Sequence, residues 1–300
     1  MPKTDNILKT YVKMYNESVE VRLRSGNRLR KSGGDQEIKE LITFSNKQYR
    51  AIEYKLKKKI ETRSLKLNKQ TYKWLTSFRG IGSVMAGGLI AYVGDITQFK
   101  DVQHLWAYAG MKVIEVCDIC KKKYIHDGYR GAWIQHTAER LKEQNDKVTD
   151  KGKKKKGVDF IKDAESKLCH CEHPIIRQIS DRKMAGQLLD YDPDFKQLCY
   201  LLGDQFVKQR DNPYRQLYDQ FRLEYENRPD LMKERDERKS GTSKGTGHIH
   251  DMARRKTVKI LLSHLWEVMS ELKGIDVKGN YHIYSFAVLG HHDKIEPFRV

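Results

Sequence analysis

The sequence predicts a mainly α-helical protein: a helical arm, a helical core folded about a glycine turn, and a small inserted module. Three observations predict it. Apolar residues recur at three- and four-residue spacing through most of the 300 residues. Gly80, Ile81 and Gly82 stand between two such stretches. Four of the five cysteines fall in two close pairs on either side of a polar, lysine-rich stretch. The expected divisions are residues 1–68 for the arm, 69–112 for the turn and its helices, 113–178 for the insertion and 179–300 for helices that complete the core.

The arm comes first. Ile7, Tyr11, Met14, Tyr15, Val19 and Val21 give residues 5–31 an imperfect helical stripe, which Gly33 and Gly34 end. Residues 36–67 carry Ile38, Leu41, Ile42, Phe44, Tyr49, Ile52, Leu56 and Ile60 at helical spacing, with lysines such as "KLKKK" between them. This pattern reads as a solvated coiled-coil arm, and a homo-oligomer through it is one expectation.

The turn follows a short helix over residues 72–78. Only glycine enters positive φ without steric cost, so Gly80 can end that helix, and Gly82 keeps the chain bare. Ser83 is placed to cap the next helix. That helix turns Val84, Leu89, Ile90 and Val93 inward, while Ala86, Gly87 and Gly88 permit close packing. Ile81 is the expected buried pin. Free amides at the start of the second helix can accept a phosphate oxygen, with Arg79 adding charge beside them. The candidate nucleic-acid-binding set is therefore Arg79, Gly80, Ile81, Gly82 and Ser83, arranged as a helix-hairpin-helix.

Charge agrees with that reading. The formal net charge is +18, and phosphate backbones are the commonest polyanion such a surface meets. DNA is the expected partner and structured RNA the alternative. The longest apolar stretch, residues 84–93, is too short and glycine-rich to span a bilayer, and residues 1–11 are polar rather than a secretory signal. No membrane partner is expected. The expected location is the cytoplasm, beside the nucleoid in a prokaryote.

In the insertion, "VCDICKKKYI" places Cys117 and Cys120 on one tight knuckle, each able to take a vertex of a zinc tetrahedron. "LCHCEHP" supplies Cys169, His170, Cys171 and His173. Cys169 with Cys171 is the first reading of the second pair, and Cys171 with His173 the second. A full ligand set points to a closed, structural zinc site that supplies folding energy to a polar region. The run at 151–157 is an expected loop, and Tyr129 and Trp133 beside Arg130 are candidate base-stacking residues. Cys199, among Leu198, Leu201 and Leu202, reads as core.

Helices are then expected at 187–189, 195–207 and 214–225, a polar linker up to His250, and a last helix from 251 to 272 with Val258, Leu261, Leu262, Leu265, Trp266 and Met269 inward. Asp251 or His250 is a capping or packing residue, and Arg254, Arg255, Lys256 and Lys259 are candidate groove-lining cations. The tail from 274 carries no readable element.

The stretch "GIGSVMAGGLIAYVGDITQFKDVQHLWAYAGM" resembles the helix-hairpin-helix region of the insertion-sequence 110/116/902 transposase family. The carriers are Gly80, Ile81 and Gly82, then Gly94, Asp95 and Ile96, then Phe99, then Ala107 to Gly110. "FKQLCYLLGDQFVKQRDNPYRQLYDQF" and "GHIHDMARRKTVKILLSHLWEVM" resemble later helices of the same C-terminal domain. The resemblance implies nucleic-acid binding in transposition or recombination. It also implies an acidic RNase-H-like domain and a serine nucleophile. Residues 1–68 read as helices, with Asp5, Glu17, Glu20, Asp35, Glu37 and Glu40 at solvated positions, and the serine position reads "DYDPDFKQL". Catalytic residues are thus left unassigned. The alternatives are a compact transposase or recombinase with an unrecognised nucleophile, or an accessory module binding structured RNA.

Overall fold

The structure is a computed structural model that describes residues 5–31, 35–146, 158–180, 191–229, 231, 245–277 and 295–298. The expected helix at 187–189, the lysine run at 151–157 and most of the tail from 274 lie outside these residues. Among the described residues the chain is mainly helical, with one two-stranded ladder. It divides into two compact units: Met1–Trp106 together with Asp194–Val300, and Ala107–Pro193.

In the first unit, α1 (Asn6–Lys31) and α2 (Gln36–Ser77) run antiparallel. Arg63 clasps Asp5 with Nη2 to Oδ2 at 2.7 Å, and Arg22 meets Glu53 at 2.7 Å. Leu8, Val12, Leu56 and Ile60 are buried along the seam. Farther from the core, Leu41 and Phe44 stay exposed. The α2 axis breaks at Asn68, whose φ of −154° is non-helical and whose Oδ1 accepts from Thr71 N at 3.0 Å. Asn68 thus caps the turns that carry Tyr72, Leu75 and Phe78, a local competition typical of asparagine.

Helix α3 (Ser83–Val93) is buried on nearly every side. Its small residues explain how. A Cβ at Gly87 would lie 2.3 Å from Ile60 Cγ2, and one at Gly88 would lie 2.8 Å from Leu198 Cδ2. The two glycines let α2 and the later helix α7 (Pro193–Lys208) approach α3 to backbone contact. Gly94 ends α3 at φ +60°, and Asp95 starts a 3-10 turn, Ile96–Gln98, by accepting from Thr97 N. Helix α4 is Val102–Tyr108. Two further helices, α8 (Pro213–Glu226) and α9 (Gly245–Leu272), pack together. Trp266 of α9 donates from its indole N–H to Phe99 O at 3.1 Å, and Trp106 donates to Lys259 O at 3.0 Å.

Helix α9 begins six residues earlier than its sequence suggests. The expected linker ends inside it, because Ile249 extends the apolar face and is buried. His248 and His250 therefore lie within helical turns, and Asp251 is not a cap. His250 Nδ1 and the Tyr218 hydroxyl are hydrogen-bonded at 2.6 Å. Arg254 is held by Asp204 and by Asp251, and Lys256 by Glu224 at 2.8 Å over the Phe221 ring. These cations are structural partners of neighbouring helices.

The second unit contains β1 (Val113–Cys117) and β2 (Ile176–Ser180), antiparallel with Val113 opposite Ser180 and Cys117 opposite Ile176. Between them lie α5 (Asp127–Asp146) and α6 (Phe160–Glu165). Ile134, Ala138, Ala164 and Leu168 form a small core there, flanked by Trp133 and Phe160. At the unit's two ends, Asp192 N donates to Tyr108 O at 3.0 Å and Tyr108 Oη to Asp192 Oδ2 at 3.2 Å.

Candidate functional site

The turn is built from the residues upward. Ser77 ends α2, Phe78 is extended, and Ile81 N donates to Phe78 O at 3.0 Å, closing a four-residue turn. Gly80 sits third in it at φ +97°, the left-handed region that side chains avoid. Ile81 is buried, and Gly82 is exposed with ordinary extended geometry. A side chain added at Gly82 meets no described atom within 4 Å, whereas one at Gly80 would lie 2.8 Å from Gln209 Cγ. The two glycines do different work: one bends the chain against α7, the other leaves its outer face clear.

Gly82, not Ser83, is the N-cap of α3. Ser83 falls one residue inside the helix, is buried, and bonds Tyr72 through its hydroxyl. Burial, and then the charge of Glu61, hold the Tyr72 phenol above its ordinary pKa, while the bond from Ser83 acts in the opposite direction. Among the described residues no side chain caps α3. The first intrahelical donor is Ala86 N, to Gly82 O at 2.9 Å, so the amides of Ser83, Val84 and Met85 precede any intrahelical acceptor. They carry the positive end of the helix dipole.

Arg79 is exposed and pairs with exposed Asp211 at 2.6 Å. Its carbonyl accepts from Asn212 Nδ2 at 2.5 Å, while Asn212 Oδ1 caps α8 at Tyr214 N, 2.8 Å away. One buried asparagine thus ties the turn to the next helix start. The sequence carried a signal for it: Asn212 followed by Pro213 marks a helix N-terminus. The packing of Gln205 and Gln209 behind Gly80 had no such signal.

In the second unit, the Sγ atoms of Cys117, Cys120, Cys169 and Cys171 all lie within 4.8 Å of one another. Cys117 closes β1, Lys121 N donates to Cys117 O at 2.8 Å, and Lys121 adopts φ +59°. This folds the Cys-x-x-Cys segment into a knuckle whose Cys120 and Ile119 amides point at Cys117 sulfur. The second pair is brought in by Cys169 N donating to Lys123 O at 2.9 Å. Arg130 donates to Cys169 O at 3.0 Å and contacts His170, which ties it to this loop. Tyr129 is exposed. Among the described residues His170 and His173 are not part of the cluster.

The donor set fits a tetrahedral metal ion. Metal–sulfur bonds of about 2.3 Å at tetrahedral angles place sulfurs about 3.8 Å apart, and Cys117 and Cys171 are 3.9 Å apart. The thiols also respond to one another. The amide of Cys120 leads in drawing Cys117 down to about 6, while hydrogen bonding with Cys169 leads in pushing Cys171 up to about 12. Four crowded thiols that cannot all ionise alone would become four thiolates if a dication were bound among them.

Residues 72–116, which hold the turn, α3, α4 and most of β1, match the sequence profile of the Transposase IS116/IS110/IS902 family. No curated protein and no solved structure matches the chain. That one segment is what the chain shares with the IS116/IS110/IS902 transposase family, and the match supports a relation to it.

Proposed function

We propose that this protein grips the phosphate backbone of DNA through a helix-hairpin-helix formed by α2, the turn at Gly80, Ile81 and Gly82, and α3, and that it acts in transposition or recombination. One observation carries the reading. The turn is exposed at Gly82, uncapped at the α3 amides and flanked by the exposed Arg79, and it lies in the segment shared with a transposase family. Amides and one guanidinium read no base sequence, so the grip is general for duplexes. The four cysteines hold a structural zinc ion that fixes the knuckles of the second unit. Self-association of the arm belongs to the same reading, supported by exposed Leu41 and Phe44.

Gly82→Asp tests it. The new side chain enters open space, so folding is preserved while a negative charge stands at the grip. Fluorescence anisotropy against several unrelated duplexes at fixed salt is expected to show the same loss, about tenfold or more, on every one. A loss confined to one sequence, or none at all, overturns the clamp. A loss seen on structured RNA but not on duplex DNA assigns the turn to RNA.

A further inference from the structure

Residues 295–298, Ile-Glu-Pro-Phe, belong to no helix or strand, yet they are held at several points. The indole N–H of Trp74 donates to Phe298 O at 2.9 Å. His264 Nε2 lies 2.9 Å from Ile295 O, and its Nδ1 lies 2.9 Å from the Tyr214 hydroxyl. The carbonyl can only accept, so Nε2 carries the proton, and the phenol donates to Nδ1. The Phe298 ring meets Tyr214 edge-on at 5.1 Å, His264 at 5.3 Å and Phe78 at 6.5 Å. Pro297 is buried and Glu296 exposed. Phe78, Tyr214 and His264 are themselves almost completely buried.

This is how a groove holds a short extended peptide: polar side chains take two carbonyls, and apolar pockets read a proline and an aromatic ring. The groove walls continue into the turn. Phe78 O accepts from Ile81 N, and Tyr214 N is bonded to Asn212, which also holds Arg79 O. We infer that residues 295–298 are a detachable peptide ligand of the groove formed by Trp74, Phe78, Tyr214 and His264, and that filling this groove fixes the turn at Arg79, Gly80, Ile81 and Gly82. With the ring of Phe298 withdrawn, Phe78 loses that edge contact, and the chain leading into the turn gains freedom. The inference concerns rigidity and peptide binding and holds whatever the turn grips.

The test uses the full chain and Phe298→Ala. Hydrogen exchange of the amides of residues 78–86 is expected to quicken about tenfold, a change of the size that aromatic pairs contribute. A labelled peptide of residues 293–300 is expected to bind the variant and restore slow exchange. It is expected not to bind the wild-type chain, whose own segment competes at high effective concentration. The same peptide with alanine for phenylalanine is expected to do neither. Circular dichroism checks folding, and Pro297→Ala replaces the first variant if that one does not fold. Unchanged exchange at 78–86 in a folded variant, or a variant that does not take the peptide, overturns the inference. Neither readout involves nucleic acid, so its failure is separate from failure of the backbone grip.

Discussion

Adding one methyl group at Gly87 should loosen the α2–α3 contact, and the structure says by how much. An alanine Cβ there would stand 2.3 Å from Ile60 Cγ2 and 2.9 Å from Ser64 Oγ. Carbon atoms rest at about 3.5–4.0 Å, so the helices must part locally by about 1 Å. Ile60 cannot step aside. It is fully buried, β-branched and stiff at χ1, and its carbonyl already accepts from Ser64 Oγ at 2.7 Å. Overpacking of this kind costs about 1–3 kcal/mol. Ile60→Ala alone opens a void and costs about 2–5 kcal/mol. In the double variant the new methyl enters the space the isoleucine vacated. Its cost should fall below the sum by about 1 kcal/mol or more, as neighbours in contact couple. Urea denaturation followed by tryptophan fluorescence measures all four proteins, with equal m-values confirming a common transition. Costs that simply add, within about 0.5 kcal/mol, would refute the claim that Gly87 exists to admit Ile60. Gly82→Ala is the control: open space at that position removes any steric cost, leaving only the N-cap preference of glycine over alanine, up to about 1 kcal/mol, with no coupling to Ile60→Ala.

Other outcomes follow from the same contacts. Asp211 occupies the guanidinium that a phosphate would use, so Asp211→Asn should tighten duplex binding a few-fold in anisotropy titrations and leave stability nearly unchanged, since exposed pairs contribute little. Cys117→Ser should cut zinc measured by plasma mass spectrometry well below one equivalent, and a strong chelator should then shift the Trp133 signal in the wild type alone. His250 is held below its ordinary pKa, chiefly by burial and then by Arg254. The unfolded chain therefore takes up that proton first as pH falls below about 6.5, and the folded state loses stability through the lower folded value. His250→Gln should flatten the fall in melting temperature over that window, and an unchanged slope would remove His250 as its source.

The sequence made the periodic elements legible and the tertiary choices less so. Gly80 was readable because a positive φ has one common solution, and Ile81 because an apolar residue inside a polar turn must go somewhere. The two cysteine pairs announced their meeting through spacing. Ser83 misled: serine before an apolar helix is the ordinary cap, but here the extended Gly82 takes that position and the hydroxyl turns to Tyr72. The start of α9 was missed because "GTGHIH" reads as linker until Ile249 is seen to pack, and no periodicity could say so. The strands β1 and β2 are five residues each, too short for alternation to stand out. The groove for residues 295–298 was invisible because its parts come from three distant places in the chain.

The bond between residues 108 and 192 has a consequence of its own. A segment whose first and last residues touch leaves and rejoins the main chain like a loop drawn shut at its neck. Its interior can lengthen, shrink or be exchanged wholesale while the distance between the two strands of chain at that neck stays the same. Such a place invites grafting, by natural shuffling or by a designer's splice.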